Sequence, residues 1–126
     1  MAHNLVLENA AVNAGVDAMC ALANGGKLQI KTAAGVLLAE LTFGNPAFAG
    51  AIAGVATANA ITPDAAANDT GAAGKYEVRK SDDTLLWTGT AGAAGGGFDL
   101  ELNNVNIQVG AQVSVTSFTH TAPKSP

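Results

Sequence analysis

The apolar positions of this chain change their period once, near residue 27, and that change separates a helical start from a strand-built remainder. Over residues 9–23, Val12, Val16, Met19, Cys20 and Ala23 fall at helical spacing on one face, with Asn9 placed as N-cap and Gly25-Gly26 just past the end. From Lys27 onward, Leu28 and Ile30 alternate with polar neighbours. Leu37, Ala39, Leu41 and Phe43 do the same, which marks two half-buried strands joined at Ala33-Ala34-Gly35. Asn45-Pro46 then interrupts, because proline cannot donate to a ladder and biases its predecessor away from helix.

Residues 47–60 are built almost wholly from Ala, Gly, Val and Ile, and two readings compete there. Alanine favours helix, but Gly50 and Gly54 each cost a helix roughly 1 kcal/mol relative to Ala. Residues 55–61 also form an extended-looking run that stops at Thr62-Pro63-Asp64, so strand is the expectation. Residues 63–74 read as a flexible loop by composition. Tyr76 and Val78, the turn formers Ser81-Asp82-Asp83, then Leu85 and Trp87 predict a hairpin with aromatic residues on both arms. Residues 90–97 read as a second loop. Three further strands are expected over 98–102, 105–109 and 112–119, with Val113 and Val115 on one face of the last and Thr116, Phe118 and His120 on the other. A disordered tail follows, over about 121–126.

Strands punctuated by turn signals at intervals of about 8–12 residues, with no alternating helices, predict a mainly β fold, a sandwich or a barrel, carrying one N-terminal helix. At 126 residues the chain fits one domain, expected to span 1–126. Ala and Gly fill a third of it, so each buried position contributes little apolar area, and self-association or docking on a partner is expected to add to stability.

Charge narrows the partners. The net charge is −4 with only six Lys and Arg, which leaves almost no source for the counterion release that drives nucleic-acid binding. The longest low-polarity run, residues 47–61, is shorter than the roughly 20 residues a membrane-spanning helix needs. Gly50 and Gly54 form a GxxxG match, meaningful only inside a real span. The N-terminus lacks the basic and apolar regions of a secretory signal, and the single Cys20 excludes an internal disulfide. Neither nucleic acid nor membrane is expected as a partner.

Candidate chemistry is sparse. His3 and His120 have no second His or Cys at ligand spacing, so no zinc set forms, and oxygen ligands for Ca²⁺ abound without an EF-hand pattern. Cys20 beside Met19 reads as a small core hydrophobe, since a nucleophile needs an adjacent base. Asp99 and Glu101 are spaced to share one face of a strand, as a hydrolase pair would, but the solvated side of that strand explains them better. Asp82-Asp83 is turn chemistry. Gly71 to Lys75 resembles a phosphate loop only faintly, with Asp69 at the first glycine position and Tyr76 where Ser or Thr would hold Mg²⁺. Asn68-Asp69-Thr70 matches a glycosylation sequon, coincidental without an export signal. Tyr76 and Trp87 offer a sugar-stacking platform, with packing inside the hairpin as the stronger role. No catalytic residue, no metal site and no cofactor is expected.

Several blocks, NAAVNAGVDAMCAL, GKLQIKTAAG followed by LLAELTFGNPAF, GVATANAIT and the closing DLELNNVNIQVGAQVSVTSFTHTAP, together resemble small structural proteins from the head-assembly clusters of tailed bacteriophages and prophages. The family resemblance is to head decoration (cement) proteins. It implies an antiparallel β-sandwich, jelly-roll-like or related, that docks on the outside of a capsid and stabilises it by binding between major capsid protein subunits. It further implies a homo-oligomer, dimer or trimer, at the capsid surface of the virion, made in the bacterial host cytoplasm, with no enzyme activity. SDDTLLWTGTAGAAGGG departs from the family pattern, where an Asp-Gly turn and a shorter connection are expected. The segments expected to touch neighbours are residues 2–7, in particular Ala2, His3, Asn4 and Leu5, and the 63–74 loop, in particular Asn68, Asp69 and Thr70, because both would be ill-ordered in an isolated monomer. The alternative is a phage tail or fibre module that binds host-surface glycans on Trp87 and Tyr76.

Overall fold

A computed structural model describes residues 9–93, 95–96, 100–102, 104–115 and 117–121 of the chain. It is mainly β with one helix. Helix α1 (Asn9–Ala21) is followed by β1 (Lys27–Lys31), β2 (Leu37–Phe43), β3 (Val55–Thr57), β4 (Ile61–Thr62) and β5 (Gly71–Ala72). Then come β6 (Lys75–Arg79), β7 (Leu85–Ala93), β8 (Leu100–Leu102), β9 (Asn106–Ile107) and β10 (Ser117–Thr121). Eight strands form one sheet in the order β3-β10-β8-β7-β6-β1-β2-β4, and β5 pairs with β9 in a small second sheet.

The sheet is mixed and curled. Six of its seven strand pairs are antiparallel, but β7 and β8 run parallel, Ala91 opposite Leu100 and Ala93 opposite Leu102, so the all-antiparallel expectation fails at that step. Strand β7 is the corner: residues 85–90 pair with β6 and residues 91–93 with β8. The predicted loop over 90–97 therefore begins as strand, because Thr90 to Ala93 find partners on two sides that composition does not reveal. Curling follows from two distances. Strands β10 and β6 lie three steps apart, about 14 Å in a flat sheet, yet the rings of Phe118 and Tyr76 meet edge to face at 4.9 Å. The two outermost strands, β3 and β4, are joined by residues 58–60 alone, a reach of at most about 14 Å, so the sheet bends nearly far enough to meet itself.

The concave face holds the core. Leu28, Ile30, Ala39, Leu41, Phe43, Tyr76 and Val78 are all buried, and the cross-strand pairs Leu28–Leu41, Ile30–Ala39, Leu28–Val78 and Ile30–Tyr76 place them side by side. Against them lie Phe48 and Phe118, whose rings stand 5.6 Å apart and 5.6 and 6.0 Å from Phe43. The Tyr76 ring lies over its ladder partner Gly89, where a Cβ would sit 2.5 Å from two ring carbons and the hydroxyl oxygen. Only glycine leaves that space, and the aromatic ring in turn covers the bare backbone.

Helix α1 packs Val16 and Cys20, with Ala23 just beyond its end, into this core. Its polar side chains hold residues 47–54: Asn24 Oδ1 accepts from the Ala47 N–H, Asp17 Oδ1 from Ala51 and Asn13 Oδ1 from Gly54, each at 2.8 Å. Residues 47–58 are not helical but fold back as a hairpin, with Phe48 bridged to Ala58 and Ile52 to Val55, and only Val55–Thr57 of them is strand. Its tip is Ala53-Gly54, both at positive φ (52° and 81°), the geometry that matches strand twist in a two-residue turn. The run 55–61 expected as one strand is two, β3 and β4, at opposite edges of the sheet. Asn45-Pro46 marks the break before the hairpin and is a cis peptide.

Several other expectations shift. Met19 is 39% exposed rather than inward, because Cys20, one residue and about 100° further round the helix, takes the core position. Leu38 is buried beside Ala39: a register shift between Ile30 and Lys31 leaves it without a β1 partner, and it points to the convex face under Gly71. Of the strand expected over 112–119, residues 112–115 are not strand, while Ser117–Thr119 belong to β10. Val113 bridges Asp64 instead. The strand expected over 105–109 shortens to β9, and of the one expected over 98–102 the described residues 100–102 form β8. Thr121 belongs to β10, and the rest of the expected tail lies outside the described residues, as do Phe98 and Asp99.

Candidate functional site

Of the seven residues expected to contact neighbours, Ala2, His3, Asn4 and Leu5 lie outside the described residues, and Asn68, Asp69 and Thr70 are exposed together on the 63–74 segment. That segment is not the flexible loop its composition predicts. Asp64 exchanges two backbone hydrogen bonds with Val113 (2.9 and 2.8 Å), and the N–H groups of Asn68, Ala73 and Gly74 donate to the carbonyls of Leu38, Val105 and Lys31. Ala67 is buried, with its N–H on the Ala111 carbonyl at 2.8 Å. Asp64 also accepts the Glu40 N–H through Oδ2 and the Ala66 N–H through Oδ1. Small residues read as flexible because they carry few local signals; here they let the chain lie flat on the convex side of β2.

The exposed tip is correspondingly fixed. Asp69 Oδ1 accepts the Thr70 N–H at 2.7 Å, and Thr70 Oγ1 accepts the Val109 N–H at 2.9 Å. Val109 is 63% exposed beside it. The result is a stiff patch of Asn68, Asp69, Thr70 and Val109, carrying one carboxylate. Val109 was missed from sequence because its alternation with Val105 and Ile107 reads as a strand face, whereas β9 ends at Ile107 and Val109 sits in a turn.

A second sparsely charged surface is the outward side of α1, where Ala11, Ala14, Ala18, Met19 and Leu22 are exposed. Its one ionisable residue, Asp17, is engaged with the Ala51 N–H.

The convex face of β1 and β6 is different in kind. Glu77, buried between strands, takes Lys31 Nζ at 2.9 Å and Arg79 at 2.6 Å. The Arg79 hydrogen bond, helped by Lys31, holds its carboxyl below the ordinary glutamate value against the opposing effect of desolvation. Gln29 donates to Glu40 at 2.8 Å, and Lys27 pairs with Asp83 at 2.9 Å across the hairpin turn. Hydrogen bonds from Thr84 hold the exposed Asp82 carboxyl below its usual value in the same turn. These groups satisfy one another.

The remaining candidates for chemistry are turned inward or kept apart. Burial, with the Asp17 charge nearby, pushes the Cys20 thiol up to about 11, far from a reactive thiolate. Tyr76 is 1% exposed, so it offers no platform, and Trp87 packs on Phe48 and, at 4.3 Å, on His120. Lys75 starts strand β6 directly after Gly74, with no helix N-terminus to cradle a phosphate. Glu101 accepts the Gly95 N–H at 3.4 Å, while its suggested partner Asp99 is outside the described residues. Among the described residues no three His, Cys, Asp or Glu side chains gather closely enough to hold a metal ion, and no helix is long and apolar enough to cross a membrane.

Comparison with protein-family models, with curated protein sequences and with solved structures found no match to this chain.

Proposed function

We propose that the protein is a structural component of a tailed-phage virion, a head decoration protein that docks on the outer capsid between major capsid protein subunits as a dimer or trimer. The sequence blocks described above support this reading. The observation that carries it furthest is the patch of Asn68, Asp69, Thr70 and Val109, an exposed surface held by backbone hydrogen bonds rather than left mobile. Adhesion repeated by symmetry needs a surface that loses little conformational freedom on docking, since ordering loops costs affinity. Few charges and short side chains suit close approach of backbones. In this proposal the curled sheet is the counterpart of the sandwich body expected of the family, its two ends facing one another across the Phe43, Phe48 and Phe118 rings.

Quantitative mass spectrometry of purified phage particles is the direct test. A copy number near that of the coat protein, with density for the chain on the outer shell, is the expected result; absence from particles, or a few copies at the tail, sinks the proposal. A chain lacking residues 1–7 that still decorates capsids at full occupancy would remove the N-terminal residues from the contact set and leave the 68–70 patch. The tail-module alternative on Trp87 and Tyr76 is not favoured, because the Tyr76 ring is enclosed by Phe118 and Gly89.

A further inference from the structure

A concavity of about 250 Å³ opens between β9 and residues 108–115. It is lined by the buried Ile107 and Val113 and by the exposed polar residues Asn106, Gln108, Gln112 and Ser114. No ionisable side chain lines it. The backbone beneath is already fixed: Val113 is held by Asp64, Ala111 and Gly110 by Ala67, and Val109 by Thr70 Oγ1. Asn104, also in the lining, has its Oδ1 engaged with the Asn106 N–H at 2.9 Å, which leaves its amino group as a donor.

The polar side chains of this groove differ from the paired ones of the convex sheet face and of α1. On the convex sheet face Gln29 is held by Glu40, Lys31 and Arg79 by Glu77, and Lys27 by Asp83. Along α1 the side-chain oxygens of Asn13 and Asp17, and that of Asn24 just beyond its end, are taken by backbone N–H groups. The side chains of Asn106, Gln108, Gln112 and Ser114, by contrast, make no hydrogen bond with the described residues. Three carboxamides and a hydroxyl thus converge, unengaged, on one neutral cleft.

We infer that this groove binds a neutral saccharide unit. A carboxamide presents an acceptor oxygen and a donor amino group in one plane, and a pair of adjacent sugar hydroxyls, each donor and acceptor at once, answers both. Ile107 and Val113 give the C–H face of the ring a small apolar contact among mostly polar lining groups. The absence of charge from the lining excludes selection for an anionic or cationic ligand. A volume just below the usual ligand-pocket range of about 300–1,000 Å³ fits roughly one pyranose ring. An extended peptide binds differently, through main-chain ladder bonds on a sheet edge with pockets for alternate side chains. No aromatic ring lines the groove, so a single site is weak and useful binding comes from many copies acting together. The inference concerns the isolated chain and holds whether or not that chain sits on a capsid.

The test is a titration of the full ¹⁵N-labelled chain with glucose, galactose, N-acetylglucosamine and lactose, each to about 50 mM, followed by amide NMR. Saturable shifts of the Asn106 and Gln112 side-chain amides, with a Kd of order 1–10 mM, are expected for at least one sugar. Gln112→Ala is expected to weaken that binding about tenfold or more, by removing a paired donor and acceptor. Gln112→Glu, which keeps the size but replaces the donor with a charge, is expected to do the same, and both variants are to be compared only with dispersed, folded spectra in hand. The inference is overturned if none of the four sugars gives a saturable shift, if the shifts map outside residues 104–114, or if they survive both substitutions. Tighter binding of N-acetylneuraminic acid than of every neutral sugar, or saturation by trialanine alone, overturns it as well.

Discussion

The two faces of the β1–β2–β6–β7 surface are made from the same strands, residue by alternate residue, and they do opposite things. On the concave face Leu28, Ile30, Leu41, Tyr76 and Val78 meet Phe48 and Phe118, and burial of apolar area is the stabilising term. On the convex face Lys31 and Arg79 meet Glu77 and Lys27 meets Asp83, and pairing mostly offsets the desolvation it requires. The difference teaches that this Ala- and Gly-rich chain concentrates its stability in a handful of aromatic contacts, while its charges organise one face without holding the fold together.

That contrast is broken most severely at Phe118, the ring that touches Phe43, Phe48 and Tyr76. Phe118→Ala is expected to lower unfolding stability by about 3–5 kcal/mol, the usual range for a buried Phe truncation, as measured by urea denaturation. A loss below about 1 kcal/mol would show that the aromatic cluster is not the core.

Gly89→Ala comes next. Its new methyl would collide with the Tyr76 ring, and the expected loss is about 1–3 kcal/mol, typical of overpacking. Tyr76→Leu in the same background is expected to recover part of that loss, because it removes the ring that the methyl meets; simple additivity of the two changes would place the strain elsewhere.

The convex face gives a smaller and pH-dependent effect. Glu77 is held below its ordinary value of 4.5 in the folded state, so its contribution is fully present above that value and is lost as pH falls through the lower folded pKa. Glu77→Gln is expected to cost about 1 kcal/mol near pH 7 and to flatten the decline in stability on acidification below about pH 5. Parallel acid limbs for the two proteins would assign the decline to other carboxylates. Smallest of all is Lys27→Ala. Its partner Asp83 is largely exposed, and exposed pairs contribute little, so the melting temperature is expected to stay within experimental error of the parent.

The same asymmetry explains what was legible in the sequence. Helix α1, the β1–β2 pair and the β6–β7 hairpin were readable because their partners are close in the chain and their turn residues, Ala33-Ala34-Gly35 and Ser81-Asp82-Asp83, stand between them. Over residues 47–60 the sequence rightly disfavours helix, from two glycines weighed against alanine's preference, but only Val55–Thr57 is strand. Beyond those elements local pattern failed. Residues 63–74 looked loose because their holding partners, Leu38, Val105 and Val113, are distant in the chain and contribute backbone atoms, which sequence pattern does not encode. Of the proposed contact residues, Asn68, Asp69 and Thr70 are exposed, but the looseness from which the sequence picks them out is replaced in the structure by backbone hydrogen bonds. Val109 and the carboxamide groove are not picked out, since their meaning depends on where β9 stops.

By itself, then, the sequence determined the mainly β character, the one helix, the inward alternation of β1, β2 and β6, and the acidic, cation-poor surface, all of which follow from side-chain period, turn chemistry and charge. Tertiary structure alone decided that β7 turns a corner to meet β8 in parallel, that β3 and β4 split a single apolar run between opposite edges, and that Gly89 faces Tyr76. The physical reason is that strand pairing joins backbone groups far apart in the chain, and Ala and Gly, a third of these residues, leave the choice of partner to the few large side chains that must share one core.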